Sequence, residues 1–282
     1  MKFFKNDLLI NENAPDMGKG IVLEDSDYEQ NVKVYFFDLD EKKILSRQYA
    51  NLTKIEEDKD KKFFDNFDHN PKYQSFETSV VTFQKKMPGG FHGEEFARRE
   101  REYKDKSHQL SQELLSFDSL SKLLSENDYT EISKRALSIV NKINLIFKQE
   151  KISLKNGLED EDGEKKFALA LFDLLHGKDD IMYRFQNFVK MLEEIESNKW
   201  TIATYFLFIH YPNEHMFIKP NNTKLAAKIA GWNIHYNTRP NLDTYKHVLD
   251  LSEYVFKKLE DLKPRDFIDI QSFFWIIQPS YK

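Results

Sequence analysis

The spacing of apolar positions changes character along the chain. Between residues 18 and 56 they come in short runs divided by charged segments. Ile21-Val22-Leu23 is followed by Glu24-Asp25-Ser26-Asp27, and then by Val32-Lys33-Val34-Tyr35-Phe36-Phe37, whose first positions alternate apolar and polar. A turn over Asp38 to Glu41 leads to Lys43-Ile44-Leu45, and Leu52 and Ile55 close the unit. Alternation with a period of two places one set of side chains on one face of a strand, so this region predicts short strands joined by tight turns. Gly18 and Gly20 fit a bend where two backbones approach closely. Short strands with tight turns predict a small curled sheet, not a parallel α/β sheet.

After Pro88-Gly89-Gly90 the apolar residues recur every three or four positions, which is the helical period. Phe96, Tyr103, Leu110 and Leu114 define one stripe, and Ile132, Ala136, Ile139, Ile143 and Ile146 a second. Phe167, Leu171 and Leu174 follow the acidic loop Glu159 to Gly163, with Gly177 at a C′ position. Ile181, Phe185, Phe188, Leu192 and Ile195 form a further stripe. Trp200 to His210 is apolar enough for the middle of a core, and Pro212 stops it. Leu225, Ala226 and Ile229 lead to Gly231, and Tyr245 to Leu259 is a long amphipathic helix. Pro264 is placed in the first turn of the last helix, with Asp266 and Asp269 near its positive end. The run Glu56-Glu57-Asp58-Lys59-Asp60-Lys61-Lys62 separates the two regimes and reads as a solvated linker or helix face. The expected organisation is therefore α+β: a small β-barrel over 1–57, a charged connector over 58–90 and an all-helical domain over 91–282.

Composition narrows the function classes. Among 282 residues there is no Cys, which removes disulfides, thiolate zinc sites and a thiol nucleophile, and fits a reducing, cytoplasmic compartment. No apolar run approaches the ~18 residues of a membrane span. Lys2, Lys5 and Asp7 interrupt the N-terminus, so it does not read as a signal peptide. The net charge is −5, so any contact with nucleic acid has to come from a local patch. Residues 219–282 carry a net +3 and residues 1–57 a net −4, which places that patch in the C-terminal region.

Four clusters offer chemistry. Glu100, Tyr103 and Lys104 lie on adjacent helical rows beside Arg101, and His108 is one turn beyond Lys104. A carboxylate next to an apolar stripe needs a partner, and Lys104 is at the right spacing. This arrangement fits an anion-binding or proton-transfer pair, and equally a structural ion pair. His210, Glu214 and His215 flank a proline turn without the spacing of a helical metal motif, and no metal ligand set is expected. Lys219, Lys224, Lys228 and Arg239, with Trp232, His235 and Tyr236 for stacking, form the candidate nucleic-acid face. Asp269, Gln271 and Ser272 lie among apolar residues up to Trp275, either as a buried network or as the edge of a pocket floored by Trp275. A Walker loop and a Gly-x-Ser-x-Gly elbow are absent, and no catalytic residue or cofactor is assigned.

Two resemblances follow from these residues. Gly18 to Glu24, Val32 to Phe36 and Lys43 to Leu45 resemble the SH3-like, Tudor-like barrels of bacterial proteins, including the RNA-polymerase-interacting region of CarD-type regulators and barrels appended to some DNA helicases. That resemblance implies a barrel binding protein or nucleic acid. Pro88-Gly89-Gly90-Phe91, Glu100-Arg101-x-Tyr103-Lys104, Phe217-x-Lys219-Pro220 and Pro264-Arg265-Asp266-x-Ile268-Asp269-x-Gln271-Ser272-Phe273-x-Trp275 look like a bacterial family with no established activity, so they imply architecture only. The leading expectation is a non-catalytic binding or adaptor protein that engages nucleic acid or a protein partner. An enzyme of unrecognised type, with Glu100, Tyr103 and Lys104 meeting Asp269 and Gln271 in one pocket, is the alternative, as is a component of a phage-defence system.

Overall fold

The computed structural model describes residues 2–27, 31–36, 39, 41–46, 50–55 and 75–281. The charged run 56–62 and two residues of the expected turn at 38–41, Asp38 and Asp40, lie outside these residues. Contacts divide the chain into one unit of Met1–Val81 with Lys228–Asn233, and another of Thr82–Ala227 with Ile234–Lys282.

The first unit is built on five antiparallel strands: β1 (Leu8–Asn11), β2 (Lys19–Val22), β3 (Val32–Phe36), β4 (Glu41–Leu45) and β5 (Leu52–Lys54). Their order across the sheet is β4-β3-β2-β1-β5, so β4 and β5 are its two edges and the sheet is open among the described residues. Leu8-Leu9-Ile10 is too short for a period-two signal, and β1 becomes a strand by pairing with β2 on one side and β5 on the other. Alternation sorts the apolar residues. Leu9, Val22, Val34 and Phe36 join Phe3, Val32 and Leu45 in one cluster, while Leu8, Ile21 and Tyr35 form a second on the opposite face. Gly20 lies inside β2 and not in a bend, and the close approach there is to a side chain, since a Cβ would overlap Cγ1 of Val34 across the β2–β3 pair.

Helices follow. In the stretch read as a connector, Phe76–Lys86 forms α1. After a one-turn helix, Glu94–Phe96, and a π-helical turn, Ala97–Arg101, come α2 (Glu102–Leu114), α3 (Phe117–Ser125) and α4 (Tyr129–Lys142). Next are α5 (Lys148–Asn156), α6 (Glu161–His176), α7 (Ile181–Glu194) and α8 (Trp200–His210). The last three are α9 (Pro220–Ile229), α10 (Leu242–Lys258) and α11 (Phe267–Ile276). Every residue of α8 is buried, and Phe167 and Phe188 pack on Phe206 at centroid distances of 5.8 and 6.1 Å. Its terminal carbonyls are satisfied from α2: His108 Nδ1 is 2.7 Å from the Ile209 carbonyl and Gln112 Nε2 donates to that of His210 at 2.7 Å. Among the described residues no helix is long and apolar enough to cross a membrane.

Several expected positions shift. The stripe Phe96, Tyr103, Leu110, Leu114 continues inward as Lys104, Ser111 and Leu115, each one position later. The π-helical turn is the cause, since its i→i+5 bonding takes up one extra residue and advances the row beyond it by one. The inward face of α2 is therefore polar. Ile143 and Ile146 lie beyond the end of α4, and the acidic loop becomes the start of α6, where Asp160 caps Gly163 N at 2.7 Å. Gly177 has φ −60°, so it is not a left-handed cap; glycine is needed because a Cβ would overlap the Asp173 main-chain carbonyl. Pro264 precedes the last helix, which is capped by Asp266, instead of standing in its first turn.

Candidate functional site

The sequence motifs set apart in the second resemblance meet in the helical unit. Gly89 and Gly90 have φ +83° and +61°, and this turn drives Phe91 into a ring cluster with Phe83 (4.7 Å) and Phe96 (5.4 Å). The Phe91 carbonyl then accepts from Arg265 at 2.9 Å. The π-helical turn faces both Glu100 and Arg101 inward. Arg101 grips Asp266 with two hydrogen bonds (2.6 and 2.7 Å), Asp269 at 2.9 Å and Asp105 at 2.8 Å. Asp269, fully buried, also accepts twice from the Arg265 guanidinium at 2.9 Å and once from its main-chain N–H at 2.8 Å. Burial opposes the charge on Arg101, but Asp266, Asp269 and Asp105 outweigh it and raise the pKa.

Lys104, fully buried, donates to Ser272 Oγ at 2.7 Å and to Glu100 Oε2 at 3.2 Å. Burial lowers its pKa, with Glu100 pulling the other way. Lys86, outside every expected site, gives its ammonium to the carbonyls of Ile276 (3.0 Å), Gln278 (3.3 Å) and Tyr281 (3.1 Å) and so closes the end of α11.

In front of this network opens a cleft of about 560 Å³. Arg99, Glu100 and Tyr103 form one wall, Lys142 to Lys148 the rim, Lys219 and Asn222 another wall, and Gln271 and Trp275 the floor. Lys219 stands between two rings, its ammonium 4.7 Å from the centre of Phe147 and 5.4 Å from Trp275. Burial lowers its pKa, with Glu150 opposing. Phe147 is 55% exposed, an uncovered ring at the mouth. Two residues that line the cleft each have a buried amide atom with no partner among the described residues, Gln271 Oε1 and Asn222 Nδ2. The Tyr103 hydroxyl is 3.5 Å from Glu100 Oε2, and burial together with that carboxylate raises its pKa. A second cleft, about 520 Å³, is lined by Asp162, Lys166 and Glu194. Its lysine is already paired at 2.8 and 3.3 Å, and among the described residues that line it none has an unpartnered buried side-chain atom, so it lacks the unmet demand of the first.

Of the residues expected from sequence, Glu100, Tyr103, Lys219, Gln271 and Trp275 line the cleft. Arg101, Lys104 and Asp269 are consumed in the network behind it, and His108 braces α8. Of the expected basic face, Lys224 and Lys228 stand one turn apart on α9. Lys224 lies 4.8 Å over the Tyr236 ring, Lys228 and Arg239 are exposed, and Trp232 is buried. Lining residues that escaped sequence reasoning are Arg99, Lys142, Phe147, Lys148 and Asn222. Their only signal was local: a lone Phe between lysines, and Asn221-Asn222 opening a helix directly after Pro220.

The fold and cleft define an α+β protein with a sheet unit and a helical unit that carries a cationic, aromatic-lined recess. No family model matches the chain, and no curated protein or solved structure is significantly similar to it.

Proposed function

We propose that this is a non-catalytic binding protein whose helical unit takes a phosphorylated nucleoside, free or as part of a single strand, in the cleft floored by Trp275. The observation that carries the reading is the Lys219 ammonium, which lies over two aromatic rings and makes no hydrogen bond or ion pair among the described residues, Glu150 acting on it only through its charge, in a cleft also lined by Gln271 and Asn222, each with an unpartnered amide atom. A phosphate answers the charge, a ring stacks on Phe147 or Trp275, and the polar edge of that ring answers the amides. Arg99, Lys142 and Lys148 add positive potential at the rim. Titration calorimetry and tryptophan fluorescence with inorganic phosphate, nucleoside mono- and triphosphates and short single-stranded oligonucleotides test it. Nucleosides carrying phosphate should bind, and Lys219→Ala and Trp275→Ala should each weaken binding by about 10-fold or more, as expected for losing roughly 1.5–3 kcal/mol of charge-assisted contact or 1–3 of stacking. Absence of binding across the panel, or binding indifferent to both substitutions, refutes the reading.

A second reading, as an enzyme, has one observation in its favour: the Glu100 carboxylate lines the same cleft as Gln271, beside the Tyr103 hydroxyl. It requires that bound nucleotides are turned over and that Glu100→Gln stops turnover while leaving binding in place.

For the sheet unit, the strand order supports an SH3-like barrel, because a four-strand meander with the fifth strand returning beside the first is the connectivity such barrels use. We read it as the part that engages a protein partner. Amide exchange on the full chain tests the closure: protected amides along the outer edges of β4 and β5 support a barrel, and rapid exchange there opposes it.

A further inference from the structure

We propose that His235, Asp243 and His247 form a binding site for one divalent transition-metal ion, of the kind zinc occupies. The three belong to the helical unit, distant in role from the cleft and independent of the nucleotide reading. Asp243 and His247 are one turn apart at the start of α10, and His235 lies in the segment leading into it. One donor atom from each residue lies within 4.8 Å of the other two. His235 Nδ1 is 3.1 Å from Asp243 Oδ2, close to the ~3.3 Å that separates neighbouring ligands on a tetrahedral ion with bonds of about 2.0–2.1 Å. The two imidazoles face one another with centroids 4.1 Å apart at 40°. His247 Nδ1 stands 2.7 Å from the Asp243 main-chain carbonyl. The same nitrogen is 3.4 Å from Asp243 Oδ1; with its proton given to the main-chain carbonyl, Nε2 carries the lone pair that a metal would take, the arrangement found behind most metal-bound histidines.

The cluster is not explained by helix capping. Asn241 already supplies the cap, its Oδ1 accepting from Thr244 N at 2.9 Å. Thr244 in turn braces the segment that carries His235, donating to the His235 carbonyl at 2.8 Å and accepting from Asn237 N at 3.2 Å. So the segment that carries His235 is pinned against an Asp243/His247 pair whose carboxylate is not needed by the helix as a cap. Two imidazoles and one carboxylate suit zinc, cobalt or nickel over calcium or magnesium. Three protein ligands leave a fourth position for water or an incoming group.

The test uses the full chain stripped with a chelator and titrated with Zn²⁺ by calorimetry and with Co²⁺ by visible absorption. One ion per chain should bind, and Co²⁺ should show the intense bands of a tetrahedral site. His235→Ala, His247→Ala and Asp243→Asn should each cut affinity beyond the roughly 10-fold seen for losing an outer-shell partner. His215→Gln, at a buried histidine elsewhere, should leave it unchanged. Far-ultraviolet circular dichroism without metal should match the wild type for all four, which separates ligand loss from misfolding. Failure of the wild-type chain to bind Zn²⁺ overturns the site, as does stoichiometric binding that survives in the His235→Ala/His247→Ala double variant.

Discussion

Arg101→Met removes the positive charge from a largely buried ionic network while keeping much of its aliphatic stem. Three carboxylates lose a partner, and two of them, Asp266 and Asp269, are buried. Asp266 gives up both its guanidinium hydrogen bonds and keeps only main-chain N–H groups of α11, at 2.9 and 3.4 Å. Asp269 keeps Arg265 and loses the 2.9 Å contact from Arg101. The aspartates are 8% and 0% exposed, so water cannot take the place of the lost cation. Breaking a buried pair from one side costs about 3–5 kcal/mol. For a folding unit of this size each kcal/mol moves the melting temperature by about 2–4 °C, which predicts a fall of roughly 6–20 °C. Melting followed by far-ultraviolet circular dichroism reads the helical unit. Adding Asp266→Asn supplies the decisive comparison: asparagine can still accept from Ile268 N as a cap but carries no orphaned charge. The double variant should therefore be more stable than Arg101→Met alone. A melting shift below about 2 °C, or two substitutions whose effects simply add, would refute the claim that Arg101 neutralises Asp266 and Asp269.

Two further outcomes follow from burial and packing. His210 and His215 are buried, and burial pulls both to about 4. Since the unfolded imidazole takes up its proton near 6.5 while the folded one stays neutral, stability is constant above that pH and declines as pH falls from about 6.5 to 4, by ~3 kcal/mol per histidine; urea titrations across this window should show the slope, and His215→Gln should flatten it. Gly20→Ala places a methyl group against Val34, an overpacking worth about 1–3 kcal/mol, so amide exchange in β2 and β3 should accelerate, and Val34→Ala in the same chain should restore protection.

Much of the architecture is legible in hydrophobic spacing because strands and helices bury one face each. The runs at Ile21, Val34 and Leu45 become strands, and the stripes at Phe167, Phe188 and Tyr245 become helices. What spacing hides has identifiable causes. β1 owes its form to two neighbouring strands. α5 is mostly polar, with Leu154 its one buried residue, so no stripe announces it. In α2 the stripe is misread by one position because a π-helical turn, invisible to a fixed 3.6 period, precedes it. That one shift replaces Tyr103 and Leu110 with Lys104 and Ser111 on the buried side. The site is legible to the same degree. Polar residues among apolar ones, at Glu100 and Gln271, mark a place that needs partners, but not which partners the chain supplies and which it leaves outstanding.

Three lysines decide that question. The Lys86 ammonium meets three carbonyls, and that of Lys104 meets a carboxylate and a hydroxyl. Lys219 lies over the faces of Phe147 and Trp275 and makes no hydrogen bond or ion pair through its ammonium among the described residues, with Glu150 near enough only to act on its charge. Ring faces attract a cation but do not replace the hydration it gives up, so burial depresses the Lys219 pKa below the usual 10.5. An anion arriving in the cleft favours the charged form and raises that pKa again. Binding must then be linked to protonation: affinity is constant while free Lys219 is charged and falls as pH rises through its lowered pKa. Calorimetry with the best-binding nucleotide, repeated in buffers of different ionisation enthalpy, should show proton uptake that grows on the alkaline side and disappears in Lys219→Arg, whose guanidinium stays charged. Uptake that persists in Lys219→Arg, or an affinity that is flat to alkaline pH, would place the anion somewhere other than beside Lys219.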